Sequence, residues 1–351
     1  MSSESSITKP ILLHCGDDIR WNHELYTKIA DKFTVVRSHS MKREDFILAL
    51  KEHKFGDFVA IYRPFWNTGG EMGKWDEELI SLLPPTCKIY ASAGAGFDWV
   101  DTKALGQRGI IYCNSAPACT ESVADAAIWL ILSGFRKFTW SAMAARSLDT
   151  AKFTDAHQNI AAVTHNPAGH SLGIIGLGKI GYRIAQKAKL AFGMRILYND
   201  VRRFDEEVEK GVEAVYYEKL DDMLKDADCV VLATPFVSNK VMDTEKFAKT
   251  KKGSIFINIA RGKLVDEDAL IESLESGHLA FAGLDVHYDE PNVNPRFSDM
   301  MNVEVLCHTA GASVESHMGF EKIGMENILS FFETGKAMTP VNLEWVTTPS
   351  S

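Results

Sequence analysis

The segment "SLGIIGLGKIG" (171–181) is the strongest indication of the fold, because it places closely spaced glycines between an apolar strand pattern and a helical pattern. The glycines are Gly176, Gly178 and Gly181. In a dinucleotide-binding βαβ unit, the first glycine makes a tight turn, the second lets a pyrophosphate approach the backbone, and the third lets the helix pack on the strand. The helix start then offers N–H groups to the phosphates. The spacing therefore predicts a cofactor-binding turn, and an ordinary glycine turn is the alternative.

The next strand pattern, "MRILYND" (194–200), ends in Asp200, 19 residues after Gly181. A carboxylate at this place accepts hydrogen bonds from the adenosine ribose and repels a 2′-phosphate. We therefore predict NAD as the cofactor, with NADP as the weaker alternative. Arg202 and Arg203 keep NADP open, because a guanidinium can bind a phosphate, although both side chains can equally lie in solvent or over the adenine.

Short apolar runs alternate with amphipathic helical stretches over most of the chain, which indicates an α/β protein with parallel sheets. Five strand patterns precede a long helical stretch (120–147), which Thr120 can cap, and seven follow it. We predict two doubly wound α/β domains with a boundary near Pro117, the second of which carries the glycine turn. A last helix (319–333) should end at Gly335, and the tail should return to the first domain.

Bulk composition narrows the classes of function. The 351 residues carry a formal net charge of -9, which argues against a broad surface for nucleic acid or an anionic membrane. The longest apolar helical run (126–132) is too short to cross a bilayer. Six scattered cysteines and a polar start without a signal-peptide core predict reduced thiols and a cytoplasmic location. We predict no metal site.

Three charged or titratable residues follow strand patterns in the second half of the chain. Arg261 follows the strand in "SIFINIARG" (254–262), Glu290 lies in "AGLDVHYDEP" (282–291), and His308 closes "VEVLCH" (303–308). Ligands of open α/β sheets bind at the carboxyl ends of the strands, so we expect one site. Taken singly, each residue has an ordinary interpretation: a surface salt bridge, a loop acid, and a hydrogen-bonded structural histidine.

Together the three residues suit the reduction of a 2-keto acid. Arg261 can hold the carboxylate and the keto oxygen through its fork of donors. His308 can protonate the keto oxygen while hydride reaches the carbon. Glu290 can accept the other ring N–H of His308, which fixes the tautomer and favours the charged ring.

These motifs resemble those of the D-isomer-specific 2-hydroxyacid dehydrogenase family over about residues 90–320. "GIIGLGKIG" resembles the family's cofactor turn, "NIARG" its arginine motif, "DVHYDEP" its D-V-F-x-x-E-P motif and "CHTAGAS" its P-H-x-A-G motif. "SAGAGFDWVD" resembles its substrate loop. The resemblance implies a nucleotide-binding Rossmann domain (118–317) inserted in a flavodoxin-like substrate domain (1–117 and 318–351). It also implies NAD-dependent interconversion of a D-2-hydroxy acid and its 2-keto acid, and a homodimer built through the nucleotide domain and the long helix.

The resemblance also implies individual roles. Arg261 would bind substrate, Glu290 would partner the histidine, and His308 would be the acid and base. The backbone N–H groups of Ala95 and Gly96 would hold the substrate carboxylate. The implied contacts of the cofactor, beyond the glycines and Asp200, are Lys179, Ile180, Thr234, Ala260, Asp285 and, more weakly, Thr120.

The chain departs from the family pattern at three places near these motifs. His287 stands where the family usually has Phe, Cys307 replaces the usual Pro before the histidine, and Asp125 replaces a Glu. None of these positions is one of the three proposed catalytic residues. Glu290 argues against formate dehydrogenase, which resembles this family but pairs its histidine with glutamine.

The substrate side chain is the least constrained feature. Phe65 and Trp66, after the third strand pattern, can line an apolar pocket or pack the domain's own core. The loop and the chain length resemble fungal D-mandelate dehydrogenases, so we predict a bulky or aromatic acid such as D-mandelate and phenylglyoxylate. Glyoxylate or hydroxypyruvate reduction is the close alternative, and an NAD-sensing scaffold like the related transcriptional corepressors is the alternative of a different class.

Overall fold

The computed structural model describes residues 8–64, 73–236 and 239–347. The chain divides into two compact units, one formed by Met1–Cys119 with Ser313–Ser351 and the other by Thr120–Ala312. The sequence-based borders at 117/118 and 317/318 lie a few residues away. The second border differs because the last helix begins earlier than its pattern predicts.

The first unit is built on a five-stranded parallel sheet with the order β2-β1-β3-β4-β5, which is the flavodoxin-like order. Adjacent residues of each strand point to opposite faces. Leu12 accordingly belongs to one buried apolar cluster and Leu13 to another, so both faces of the sheet are covered. The elements are β1 (Ile11–His14), α1 (His23–Lys32), β2 (Thr34–Arg37), α2 (Arg43–Lys51), β3 (Phe58–Arg63), α3 (Glu77–Ser81), β4 (Ile89–Ser92), α4 (Thr102–Gln107) and β5 (Ile111–Cys113).

The second unit holds a seven-stranded parallel sheet with the order β12-β11-β10-β9-β6-β7-β8, a Rossmann order with one added strand. Its strands from β9 to β11 are almost entirely buried, as expected for parallel strands with helices on both faces. The elements are α5 (Ala116–Arg136), α6 (Phe138–Arg146), α7 (Thr150–Asn159), β6 (Ser171–Ile175), α8 (Lys179–Phe192), β7 (Arg195–Asn199), α9 (Glu206–Val212), β8 (Val215–Tyr216), α10 (Leu220–Asp226), β9 (Cys229–Leu232), α11 (Thr244–Lys249), β10 (Ser254–Asn258), α12 (Glu267–Glu275), β11 (Leu279–Leu284) and β12 (Val303–Val305).

The chain then enters the last helix, α13 (Val314–Thr334), and returns to the first unit. The helix begins five residues before its predicted start, because the hydroxyl of Ser313 caps it by accepting the Ser316 N–H at 3.0 Å. It ends at Gly335, whose left-handed φ of 75° suits glycine. In the tail, buried Asn342 accepts the Tyr112 N–H and donates to the Ile110 carbonyl, which ties the tail to β5. The confirmed architecture is thus two parallel-sheet α/β domains.

The single helix predicted over 120–147 is wrong in two respects. It starts at Ala116, so Thr120 lies inside α5 and does not cap it; Pro117 falls in the first turn, where its missing N–H breaks no helical bond. The stretch also breaks at Lys137, whose φ of 53° is left-handed and whose ammonium donates to the Ala280 carbonyl at 2.9 Å. Periodicity alone carries no signal for either event.

By length and composition alone, α5 could cross a membrane, although the sequence pattern predicted an apolar run too short to do so. Half of the apolar window of this helix is buried inside the protein. A Cβ added at Gly134 would lie 2.8 Å from Ile255, and one added at Gly283 would lie 3.0 Å from Leu130. The helix therefore packs closely on β10 and β11, which is the behaviour of a core helix.

Candidate active site

The three predicted catalytic residues follow three neighbouring strands of the second sheet. Arg261 comes after β10, Glu290 after β11 and His308 after β12, and these strands are adjacent and parallel. Their carboxyl ends therefore meet at one edge of the sheet. The glycine turn after β6 opens from the same edge, because β6 is parallel to the rest.

His308 and Glu290 form the central pair of the site. The Nδ1 atom of His308 lies 2.8 Å from Oε2 of Glu290, and both side chains are partly exposed, at 46% and 35%. Burial raises the pKa of Glu290, but hydrogen bonds from His308 and from the His287 backbone N–H outweigh it, so the pKa of this carboxyl lies below its ordinary value. Since Nδ1–H donates to the carboxylate, Nε2 is the ring nitrogen that can exchange a proton with a substrate.

The backbone of His308 is held in a left-handed conformation, with φ of 55°. A non-glycine residue stays in this region only when its surroundings fix it. The His308 N–H donates to the Asp285 carbonyl at 2.8 Å. The N–H groups of Thr309 and Ala310 donate to Oδ1 of Asp285 at 2.8 and 3.0 Å. Asp285, which the resemblance assigns to the cofactor, is only 2% exposed and anchors the histidine turn; its contact with the cofactor stays a prediction.

The turn that carries Arg261 is fixed from within by Asn258, the last residue of β10. The Asn258 amide donates to the Arg261 carbonyl and accepts the Ala260 N–H, both at 3.0 Å. The partly buried guanidinium of Arg261 donates from Nη1 to the Ala260 carbonyl at 2.7 Å. Asn258 therefore fixes the backbone conformation of the turn that positions Arg261.

Gly262 explains why the turn that carries Arg261 (the arginine turn) and the loop that carries Glu290 (the glutamate loop) can lie together. A Cβ at this position would lie 2.0 Å from both the carbonyl carbon and the oxygen of His287. Only a residue without a side chain allows the two backbones to approach this closely. Asn258 and Gly262 are missing from the sequence-based set of site residues, although both lie within the "NIARG" motif.

The glycine turn has the shape that a dinucleotide needs. Gly176 has a φ of 95°, and a Cβ at Gly181 would lie 2.1 Å from the Gly176 carbonyl oxygen, so both positions require glycine. A Cβ at Gly178 would meet nothing within 4 Å, which leaves open space beside the start of α8. Lys179 and Ile180 are the first two residues of that helix, where N–H groups lack intrahelical partners. The turn therefore fits a pyrophosphate.

Asp200 lies at the end of the glycine turn where the ribose is predicted to bind, and the nearby Arg203 is paired with Glu209. Asp200 follows β7 and accepts the Leu177 N–H at 2.8 Å, which places its carboxylate against the glycine turn. The guanidinium of Arg203 binds Glu209 through two hydrogen bonds of 2.8 Å. Hydrogen bonds from Arg203 and Tyr198 lower the pKa of Glu209 to about 2, so this partner stays charged. Arg203 is thus held by a neighbour.

The remaining predicted residues have mixed outcomes. Thr234 follows β9 and packs against the glycine turn, since a Cβ added at Gly176 would lie 2.9 Å from the Cα atom of Thr234. Ala260 is buried beside Asn258. Ala95 and Gly96 are half-buried after β4 in the first unit, and Thr120 is half-buried within α5. Phe65 and Trp66 lie outside the described residues.

Comparisons with known proteins identify the family of this chain. The model of the family "D-isomer specific 2-hydroxyacid dehydrogenase, NAD binding domain" matches residues 128–310. The structure of D-mandelate dehydrogenase from Rhodotorula graminis is similar, with a TM-score of 0.91 and 39% identity, covering 95% of this chain and 98% of that chain. Among curated proteins, 4-methyl-2-oxopentanoate reductase A of Aspergillus oryzae is 32% identical, covering 90% of this chain and 93% of its own length. Glyoxylate reductase 1 of Saccharomyces cerevisiae is 31% identical, with 96% and 97% covered.

The matched region includes the glycine turn, Asp200, Arg261, Glu290 and His308. The similarity to the mandelate and glyoxylate enzymes extends over nearly the whole chain, including the first unit. The chain therefore belongs to the D-isomer-specific 2-hydroxyacid dehydrogenase family, whose members are NAD(P)-dependent oxidoreductases that interconvert 2-hydroxy acids and 2-keto acids.

Proposed function

We propose that this protein is an NAD-dependent dehydrogenase that interconverts a D-2-hydroxy acid and its 2-keto acid, with a bulky or aromatic side chain as in D-mandelate and phenylglyoxylate. The observation that carries the acid–base part is the 2.8 Å contact between His308 and Glu290. The pair lies at the sheet edge from which the glycine turn opens, so a proton donor and a cofactor site share one edge.

The chain's own residues would divide the work as follows. Arg261 binds the substrate carboxylate and keto oxygen through two or more parallel donors. His308 donates the proton on Nε2 to the keto oxygen during reduction and removes it during oxidation. Glu290 stabilises the charged imidazolium and holds the ring in one orientation. The bound nicotinamide supplies or accepts the hydride.

NAD is the cofactor that the electrostatics favour. Asp200 places a negative charge where a 2′-phosphate would add more. Arg203 is engaged by Glu209, which leaves it poorly placed to offset that repulsion. Both observations support NADH over NADPH as the reductant.

The proposal of a bulky substrate rests on relatives and on two residues. The mandelate dehydrogenase of R. graminis and the 4-methyl-2-oxopentanoate reductase of A. oryzae are both named for acids with large side chains. Phe65 and Trp66 are suited to such a side chain by their chemistry. The glyoxylate reductase of S. cerevisiae supports the alternative of a small substrate.

The test is NADH oxidation against a panel of 2-keto acids, with phenylglyoxylate, 4-methyl-2-oxopentanoate, hydroxypyruvate and glyoxylate included. We expect phenylglyoxylate to have the highest kcat/KM, and Trp66→Ala to weaken its use more than that of glyoxylate. A preference for glyoxylate contradicts the bulky-substrate proposal. An equal loss for both substrates would mark Trp66 as structural.

The same assay separates an enzyme from a scaffold. His308→Ala should lower kcat for keto-acid reduction by roughly 10²–10⁴-fold, the usual range for a general acid, while NADH still binds. Binding is measured by fluorescence titration of NADH. NADH binding without turnover of any acid in the parent protein would favour the sensing scaffold.

A further inference from the structure

The side chain of His287 is almost fully buried beside the catalytic pair. It is 6% exposed, and its Nε2 atom lies 2.7 Å from the Leu306 carbonyl oxygen. A carbonyl only accepts, so Nε2 carries the proton and donates it. The Nδ1 atom is buried without a hydrogen-bond partner among the described residues. The polar anchoring of this ring therefore consists of its bond to Leu306.

Leu306 is consequently held from both sides. Its N–H donates to the Leu284 carbonyl at 2.8 Å, and its carbonyl accepts from His287. Two residues later, His308 takes its left-handed conformation. Asp285 fixes the chain after it by accepting the Thr309 N–H. The strained histidine thus lies between two anchors, one through Leu306 and one through Asp285.

Cys307 is the unanchored link between Leu306 and His308. It is exposed, its φ is not left-handed, and its N–H makes no hydrogen bond within the described residues. A proline at this position would lock φ near -65° and hold the preceding residue extended, without losing a backbone hydrogen bond. Cysteine gives no such restriction, so the segment depends on other contacts for its course.

We infer that His287 is a positioning residue for His308, and that its bond to Leu306 supplies the rigidity that a proline at 307 would otherwise provide. His287 and Cys307 are also two of the positions where the chain departs from the family pattern, and the structure joins them through Leu306. The inference rests on the proposed role of His308 as the acid and base.

The test is a double-mutant cycle with His287→Phe and Cys307→Pro. Phe keeps an aromatic ring but loses the donor, so His287→Phe should lower kcat by roughly 10-fold or more, since small displacements of catalytic groups have large effects. The Kd of NADH should not change. Cys307→Pro alone should stay near the parent, and the double variant should recover most of the lost kcat. Equal losses in His287→Phe and in the double variant would overturn the inference, because independent sites show additive effects.

Backbone amide hydrogen exchange gives a readout that does not depend on turnover. Exchange of the amides of Leu306 and of residues 308–310 should be faster in His287→Phe than in the parent and slow again in the double variant. Unchanged exchange in His287→Phe contradicts the proposed anchoring. If His287→Phe does not fold, His287→Gln keeps a donor at similar reach and should retain most of the activity, whereas His287→Leu should not. Equal activity of these two variants would overturn the inference.

A matched control is His278→Phe. The Nε2 atom of His278 also bonds a backbone carbonyl, that of Thr250, at 3.1 Å, but at the opposite end of β11. This variant should lose stability without a selective loss of kcat. Two outcomes distinguish failure of the proposed function from failure of this inference. Full activity of His308→Ala refutes the role of His308. An inactive His308→Ala together with a fully active His287→Phe refutes only the positioning role of His287.

Discussion

At the level of single residues, Glu290 holds a carboxylate oxygen 2.8 Å from Nδ1 of His308. Glu290→Gln keeps a hydrogen-bond partner but removes the charge that favours the protonated ring of His308 over the neutral one. Keto-acid reduction needs that proton, and its alkaline limb should therefore move to lower pH. The measurement is the pH profile of reduction for the parent and the variant. Asp289→Asn, in the same loop, changes a carboxylate that accepts from the Asn292 amide at 3.2 Å, and this variant should leave the limb in place.

The pKa of Glu290 also predicts the direction in which the stability of the protein changes with pH. The pKa of Glu290 is lowered in the folded protein. Its stabilising contribution is therefore present above the unfolded pKa and is lost as the pH falls through the folded value. Glu290→Gln should unfold at a lower temperature than the parent near pH 7, and the difference should shrink on acidification. A difference in Tm that grows as the pH falls would contradict this coupling.

A second residue-scale prediction concerns the cofactor. Asp200→Ala removes the charge beside the ribose, so the preference for NADH over NADPH in kcat/KM should narrow. Arg203→Met should leave the preference unchanged, because Glu209 already holds this guanidinium. Asp205→Ala, an exposed acid of the same loop, is the matched control. Better turnover with NADPH in the unmodified protein would refute the role given to Asp200.

At the level of secondary-structure elements, the turn that carries Arg261 approaches the loop that carries Glu290 closely, and this approach depends on Gly262. Gly262→Ala would place a Cβ 2.0 Å from the His287 backbone, so the arginine turn or the glutamate loop must move. We expect kcat/KM to fall by roughly 10²-fold, because a displacement of about 1 Å near reacting groups has an effect of that order. Lys263→Ala changes an exposed neighbour and should retain activity. A fully active Gly262→Ala would show that the loops tolerate separation.

At the scale of the whole molecule, we propose a homodimer that forms through the helices at the start of the second unit. α5, α6, α7 and the residues beside them expose large apolar side chains, which mark interaction surfaces when they occur together. These are Trp129, Phe138, Met143, Leu148, Phe153 and Val163. The prediction is a particle of twice the chain mass in light scattering, and a shift to monomer in Phe138→Glu/Phe153→Glu. The matched control, Leu190→Glu/Val201→Glu, changes two exposed apolar residues elsewhere in the unit and should stay dimeric. A monomeric parent contradicts the proposal.

Features that follow from local order and periodicity can be predicted from the sequence. Alternating strand and helix patterns specified two parallel sheets, because a parallel connection needs a crossover. The glycine spacing and Asp200 specified the cofactor turn, because the turn, the helix start and the second strand are consecutive in the chain. The rule that ligands meet the carboxyl ends of strands selected Arg261, Glu290 and His308 from many charged residues and histidines.

The contacts that hold those residues in place become visible in the folded protein. The contact between Glu290 and His308 joins positions 18 apart, and Asp285 reaches Ala310 over 25 positions. Neither these bonds, nor the meeting of Gly262 with His287, nor the break of the long helix at Lys137 has a periodic signature in the sequence. Each depends on side chains and backbones that packing brings together from separate elements. Residue identity and spacing along the chain therefore specify the fold and select the candidate site residues, whereas the geometry that holds those residues arises from long-range packing.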